Sequence, residues 1–213
     1  MRKIIATILL SLLLALDGQA ATMGELIVSE PGTVMPTLAP EMRSQMVKTF
    51  TATGKKVATA NRMQGSSKLL QLDERHALIS TSPSATVELQ LLVNGRDSVI
   101  AVIETVKMPA PDSRISFYST KWKQLKTEKY FKVPTMADFA KPGTAPEKVK
   151  TLLSDLNFAL IAYTFAGPTH NVLVAEQRLS DFLGQEDYQK YKGSFRDRIG
   201  YAVTGTKLKR TTR

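Results

Sequence analysis

Between residues 66 and 120 the chain runs through five short apolar segments whose connecting pieces are too short to be anything but turns. Residues 68–73, 76–81, 85–93, 98–107 and 114–119 each have the length and the β-branched or alternating content of a strand, with Val87, Leu89 and Leu91 on one parity. The links are Asp73-Glu74-Arg75, Ser82-Pro83-Ser84 and Asn94-Gly95-Arg96, all rich in turn-forming residues. A parallel sheet needs crossovers of about a dozen residues, so links this short dictate an antiparallel meander. Pro109 and Pro111 interrupt pairing and predict a bend before the fifth strand.

Helical periodicity flanks this block. Pro40 suits a first-turn position, Met42, Met46, Val47 and Phe50 recur at helical spacing, and Gly54 is a stop, predicting a helix over 40–53. Its Met and Phe stripe reads first as a core face, and otherwise as a greasy groove. Residues 22–39, rich in Pro and Gly, read as irregular. In the second half Thr144 is the expected N-cap of a helix over 145–155. Two apolar strands, 158–166 and 172–179, then flank the loop Gly167-Pro168-Thr169-His170-Asn171. A short polar helix over 186–195 and a final hairpin over 199–210 complete the chain. The expected fold is α+β, predominantly an antiparallel meander with helices packed on one face. Each half (22–133 and 134–213) reads as helix then strands, either a tandem duplication or one continuous sheet.

The first 21 residues are expected to be a signal peptide. Arg2 and Lys3 precede an apolar run from Ile4 to Leu16, and Gly18, Ala20 and Ala21 supply the small residues of a cleavage site after Ala20 or Ala21. The run is shorter than the roughly 20 residues of a membrane span, and no later stretch is long enough to span. Cleavage would leave a single α+β domain over 22–213, about 190 residues and enough for a substantial core. With no cysteine there are no disulfides, thiol nucleophiles, thiolate metal sites or lipid-anchored cysteine.

Charge is unevenly placed. Residues 22–120 hold ten bases and nine acids, whereas 121–150 carry eight lysines against three acids and 190–213 carry eight bases against Asp197 alone. An exported chain with a basic second half points away from nucleic acid. It points toward an anionic envelope component (lipopolysaccharide, phospholipid or acidic glycan) or another envelope protein. The plain alternative is a solvated face and tail. Residues 120–133 interleave Trp122, Tyr130 and Phe131 with five lysines, a pattern that fits an edge strand with rings packed inward, or a ligand surface.

Several stretches resemble an exported family of Bacteroides-type (Bacteroidales) bacteria, uncharacterised and known only as a domain of unknown function. They are Met35-Pro36-Thr37-Leu38, Asn61-Arg62 with Gly65, Ser82-Pro83-Ser84-Ala85-Thr86, the run Ala110 to Tyr118 followed by Trp122, and Leu179-Ser180 with Glu186-Asp187. The block from Asp112 to Trp122 is the most specific. The chain departs from the family where Ala202 or Val203 stands in place of a tryptophan in the last strand. The resemblance implies export and a shared fold, and brings no activity, substrate or catalytic residue.

No motif carries chemistry outright. His76 and His170 are the only histidines, and neither has a His or Cys at ligand spacing, so no metal site is expected. Asp73 and Glu74 beside His76 could form a metal corner, or simply a solvated turn. No nucleophile elbow surrounds any serine, phosphate-loop and dinucleotide fingerprints are missing, and no cofactor is expected. Carboxylates for glycosidic cleavage could come from Glu88, Asp97, Glu104 or Asp112, but spacing cannot pair them. Asp112-Ser113-Arg114 has two readings. Asp112 caps a turn while Arg114 pairs with it or with Glu104 across the sheet, or Arg114 and Trp122 grip an acidic or sugar ligand. The ligand-binding candidates are therefore Asp112, Arg114, Trp122, Lys207, Lys209 and Arg210. The leading expectation is a non-enzymatic binding module, followed by a periplasmic carrier or chaperone for a lipid or polypeptide, and then a glycan or peptide hydrolase.

Overall fold

The structure, a computed structural model, describes residues 21–156 and 159–211. Positions 1–20 of the expected signal segment, and Phe158 at the expected start of a strand, lie outside the described residues. Eleven strands form two antiparallel sheets among those described. The first is a seven-stranded meander in sequence order: β1 (Val57–Ala60), β2 (Ser66–Leu72), β3 (His76–Ser82), β4 (Ala85–Asn94), β5 (Asp97–Val106), β6 (Asp112–Ser119) and β7 (Gln124–Leu125). The second contains β8 (Ile161–Ala166), β9 (Val172–Gln177), β10 (Arg198–Thr204) and β11 (Lys207–Arg210), again each beside the next. The α+β, mostly-sheet architecture is as the short links require. The chain breaks into two sheets rather than one continuous one, and the Met108–Pro109 bend before β6 contains a cis peptide.

The long hairpin β4–β5 pairs from Ala85↔Val106 to Asn94↔Asp97, and its parity sorts the whole core. Val87, Leu89 and Leu91 with Ile100 and Val102 face one cluster, formed with α1 (Met23–Ser29) and α2 (Pro40–Thr53). Leu92, Val99, Ala101 and Ile103 face the other, formed with the second sheet. Both faces of the central strands are thus covered, and Glu88 and Gln90, which a half-solvated strand would turn to water, are 6% and 4% exposed. Helix α3 (Pro146–Ser154) does not share a face with α2, because its Val149, Leu152 and Leu153 pack against the second cluster.

Four local expectations are corrected. Residues 23–29 are helical: Thr22 Oγ1 accepts from Glu25 N and Glu25 Oε2 accepts from Thr22 N, a capping box that closes both orphan donors. Val57–Ala60 forms an additional edge strand against β2. Of the lysine-rich 120–133 stretch only Gln124 and Leu125 pair as a strand. Trp122 adopts φ 59° and Phe131 forms a parallel bridge to Leu208, which sends their rings into separate cores. Thr144 does not cap α3; Ala145 stands at that position and Thr144 Oγ1 donates instead to the Ser194 carbonyl at 3.3 Å. Short helices α4 (Leu179–Phe182) and α5 (Gln185–Lys192) lie between β9 and β10.

A buried ion pair ties the loop after α1 to α2. Arg43, 1% exposed, places Nη1 3.1 Å from Glu30 Oε2 and donates to the Leu38 carbonyl at 2.8 Å and to the Glu30 carbonyl. Glu30 Oε1 accepts from Gly32 and Val34 N–H at 2.9 Å each. Burial holds the guanidinium below its ordinary pKa, opposed by the attraction of Glu30. Removing one member strands the other charge, so Arg43→Ala is expected to lower unfolding free energy by about 3–5 kcal/mol in urea titration.

Candidate functional site

The six residues singled out in sequence do not converge. Asp112 Oδ1 accepts from Ile161 N–H at 3.2 Å. Arg114 reaches across the sheet to Glu104, with Nη2 at 2.7 Å and Nε at 3.1 Å, and this hydrogen bond raises its pKa. Trp122 lies 7% exposed in the helix-side core, its indole N–H donating to the Leu26 carbonyl at 3.0 Å. Lys207 and Lys209 stand exposed on β11, on the face opposite buried Leu208. Arg210 is occupied, its Nη1 lying 3.1 Å from Asp138 Oδ1 and its Nη2 donating to the Asp138 carbonyl.

The two sheets meet through a different set of side chains. Strand β8 is an edge, and its outward N–H groups at alternate residues need acceptors. The first sheet supplies all three: Asp112 to Ile161, Ser113 Oγ to Tyr163 at 3.1 Å, and Glu88 Oε1 to Phe165 at 3.0 Å. Glu88 is the most buried of these acceptors, and its Oε1 also lies 2.9 Å from His76 Nε2. With Nε2 engaged there, Nδ1 on the other side of the ring lies 3.9 Å from Asp73 Oδ2.

His76 opens β3 and is 1% exposed. Its ring stacks on that of His170, from the β8–β9 loop, with centroids 3.6 Å apart and planes within 7°. Asp73, in the β2–β3 turn, uses Oδ1 to accept from Arg75 and His76 N–H. Its Oδ2 then faces both rings, 3.4 Å from His170 Nε2 and 3.9 Å from His76 Nδ1. The Nδ1 atoms of both histidines are buried without a hydrogen-bond partner. Asp73, His76 and His170 each offer one ligand atom, all within 4.8 Å of one another. Sequence spacing concealed this, since the histidines are 94 positions apart and meet only because the β8 edge docks across β4, β5 and β6 of the first sheet. The available signal was that both lie beside turns joining neighbouring strands.

A protein family described as "Protein of unknown function (DUF3256)" matches residues 15–207. The chain belongs to this family. A solved domain of an uncharacterised protein from Porphyromonas gingivalis W83 is similar in fold, with TM-score 0.79 and 24% identity over 92% of this chain and all of that one. No curated protein matches the chain.

Two surface clefts of this DUF3256 chain bear on its chemistry. A polar one of about 610 Å³ is lined by Glu176, Arg178, Tyr188, Asp197 and Arg198. Its charges are already matched: Glu176 lies 3.2 Å from Arg178 and 3.0 Å from Arg198, and Tyr188 donates to Asp197. A cleft of about 500 Å³ beside α2 is bordered by Val47, Phe50 and Leu72 and opens to solvent. Among the carboxylates weighed for glycosidic cleavage, Glu88 is the one that organises a site. Glu88→Ala leaves His76 Nε2 and Phe165 N–H buried without their hydrogen-bond partner. Each such loss costs about 1–3 kcal/mol, so chemical denaturation is expected to show a stability loss of about 2–6 kcal/mol.

Proposed function

We propose that this protein is exported and acts outside the cytoplasm as a non-enzymatic binding module for an anionic component of the cell envelope, engaged through the outer face of its second sheet. The observation that carries the reading is the state of Lys207 and Lys209. Both are exposed on the outer face of β11 with no acidic partner among the described residues, while nearby bases are neutralised: Arg198 by Glu176, Arg178 by Glu176 and Asp181, Arg210 by Asp138. Thr164, Ala166, Val174, Gly200 and Ala202 share that face by strand parity, with the Arg198–Glu176 pair at its far end, so short side chains leave the part beside the two ammonium groups level. Two free charges on a level surface suit a surface of phosphate headgroups better than an enclosed ligand.

The order of the chain supports export. The proposed signal segment ends where the Thr22–Glu25 capping box begins the first helix, so cleavage after Ala20 would spare every contact of that box. N-terminal sequencing of the protein from its host is expected to begin at Ala21; material beginning at Met1 would remove the case for an envelope ligand.

The carrier reading needs a chamber beneath the helices, and that space is filled by Met23, Leu26, Met35, Leu38 and Met46, all buried. The hydrolase reading needs convergent carboxylates, whereas Glu88 serves the sheet junction, Glu104 pairs with Arg114 and Asp112 caps β8.

The double substitution Lys207→Gln/Lys209→Gln, leaving Arg210 to hold Asp138, tests the face directly. At roughly 1 kcal/mol per lysine near an anionic surface, affinity for phosphatidylglycerol-containing vesicles or lipopolysaccharide is expected to fall about tenfold or more. Added salt should weaken the wild type more than the variant. Unchanged sedimentation with vesicles would refute the assignment of this face.

A further inference from the structure

We infer that Asp73, His76 and His170 form a binding site for a divalent transition-metal ion, zinc by the chemistry of its ligands, which locks the β8–β9 loop onto the β2–β3 turn. The inference starts from what faces what. With His76 Nε2 engaged by Glu88, His76 Nδ1 is buried without a hydrogen-bond partner and lies 3.9 Å from the carboxylate oxygen Asp73 Oδ2. The gap is too long for a hydrogen bond, which closes to about 2.7–3.2 Å. It suits a metal ion bonded to both atoms at about 2.0–2.2 Å.

His170 Nε2, 3.4 Å from the same oxygen, supplies the third ligand atom. Two imidazoles and a carboxylate are a donor set that zinc accepts. Asp73 is half-exposed, so water can reach the remaining position. The hydrogen bond from His76 to Glu88 has the form of the carboxylate–histidine–metal relay that fixes ring orientation and tautomer around bound metals.

The stacked rings define the motion that binding requires. In parallel planes 3.6 Å apart the in-plane lone pairs cannot point at one ion, so one ring must tilt. His76 is held by Glu88 and by its burial. His170 is the adjustable ligand. It sits in the β8–β9 loop at φ 50°, its side chain is 23% exposed, and its Nδ1 has no hydrogen-bond partner. Rotation of that ring out of the stack brings Nε2 toward the ion without disturbing either sheet.

The two histidines are the only ones in the chain, which makes the test clean. Calorimetric titration of the metal-free protein with ZnCl2 is expected to show one saturable equivalent and a rise in Tm. His170→Ala and Asp73→Asn, both at exposed or partly exposed positions, should keep the wild-type circular dichroism spectrum and each weaken zinc binding at least about tenfold. In the wild-type protein, one equivalent of zinc should shift the imidazole ¹⁵N resonances of both His76 and His170, which reports the ligands without any substitution. Failure to saturate at one equivalent would overturn the site. So would binding untouched by both substitutions, or ring resonances that stay in place.

Discussion

The carboxylate of Glu88 is the constraint on which the arrangement of this molecule depends. It is buried at the junction of two sheets, and the same oxygen receives the His76 ring from one and the Phe165 backbone from the other. A buried carboxylate without donors is costly, and a β-strand edge without acceptors is costly too. Each deficit satisfies the other. Ser113 and Asp112 extend the same solution along β8, so the second sheet is registered against the first by directional bonds as well as by apolar contact. Because Glu88 sets the height of β8, it also sets where the β8–β9 loop delivers His170.

On the opposite face the solution is an ion pair that also binds backbone groups. Arg43 and Glu30 neutralise each other within the helix layer and gather the 30–38 loop around them. The close approach of α1 and α2 depends on Gly24, where an added Cβ would lie 3.0 Å from Val47 Cγ1. Trp122 closes this layer from the far side, its indole N–H reaching the end of α1. The central sheet therefore carries two unlike interfaces, one secured by a buried ion pair and one by side chains capping a strand edge. The proposed metal site lies at the margin of the second.

Much of the fold could be read directly from residue order. The meander follows from turns such as Asn94-Gly95-Arg96, which leave no length for crossovers, and α2 is bracketed by Pro40 and Gly54 as its sequence implies. The Thr22-x-x-Glu25 capping box was equally legible, but the Pro and Gly that follow it masked the signal. Arg114 pairs with Glu104 because strand register places them opposite, one of the two partners its sequence allowed. The candidate site was not legible. Asp112 and Trp122 stand ten residues apart yet one caps β8 and the other fills the helix-side core, since the positive-φ turn after β6 swings Trp122 toward α1.

Local order by itself determined the strands, their antiparallel sense, the main helix and the basic bias of the second half, because each depends on turn geometry, side-chain periodicity or charge count over a few neighbouring residues. The tertiary structure alone decided that the strands part into two sheets, that Glu88 and Gln90 turn inward instead of to water, and that His76 and His170 stack. Those outcomes hang on which face of one sheet meets which edge of another. That choice is made by burial and hydrogen-bond satisfaction between residues 77 (Glu88 and Phe165) and 94 (His76 and His170) positions apart, and no local pattern encodes it.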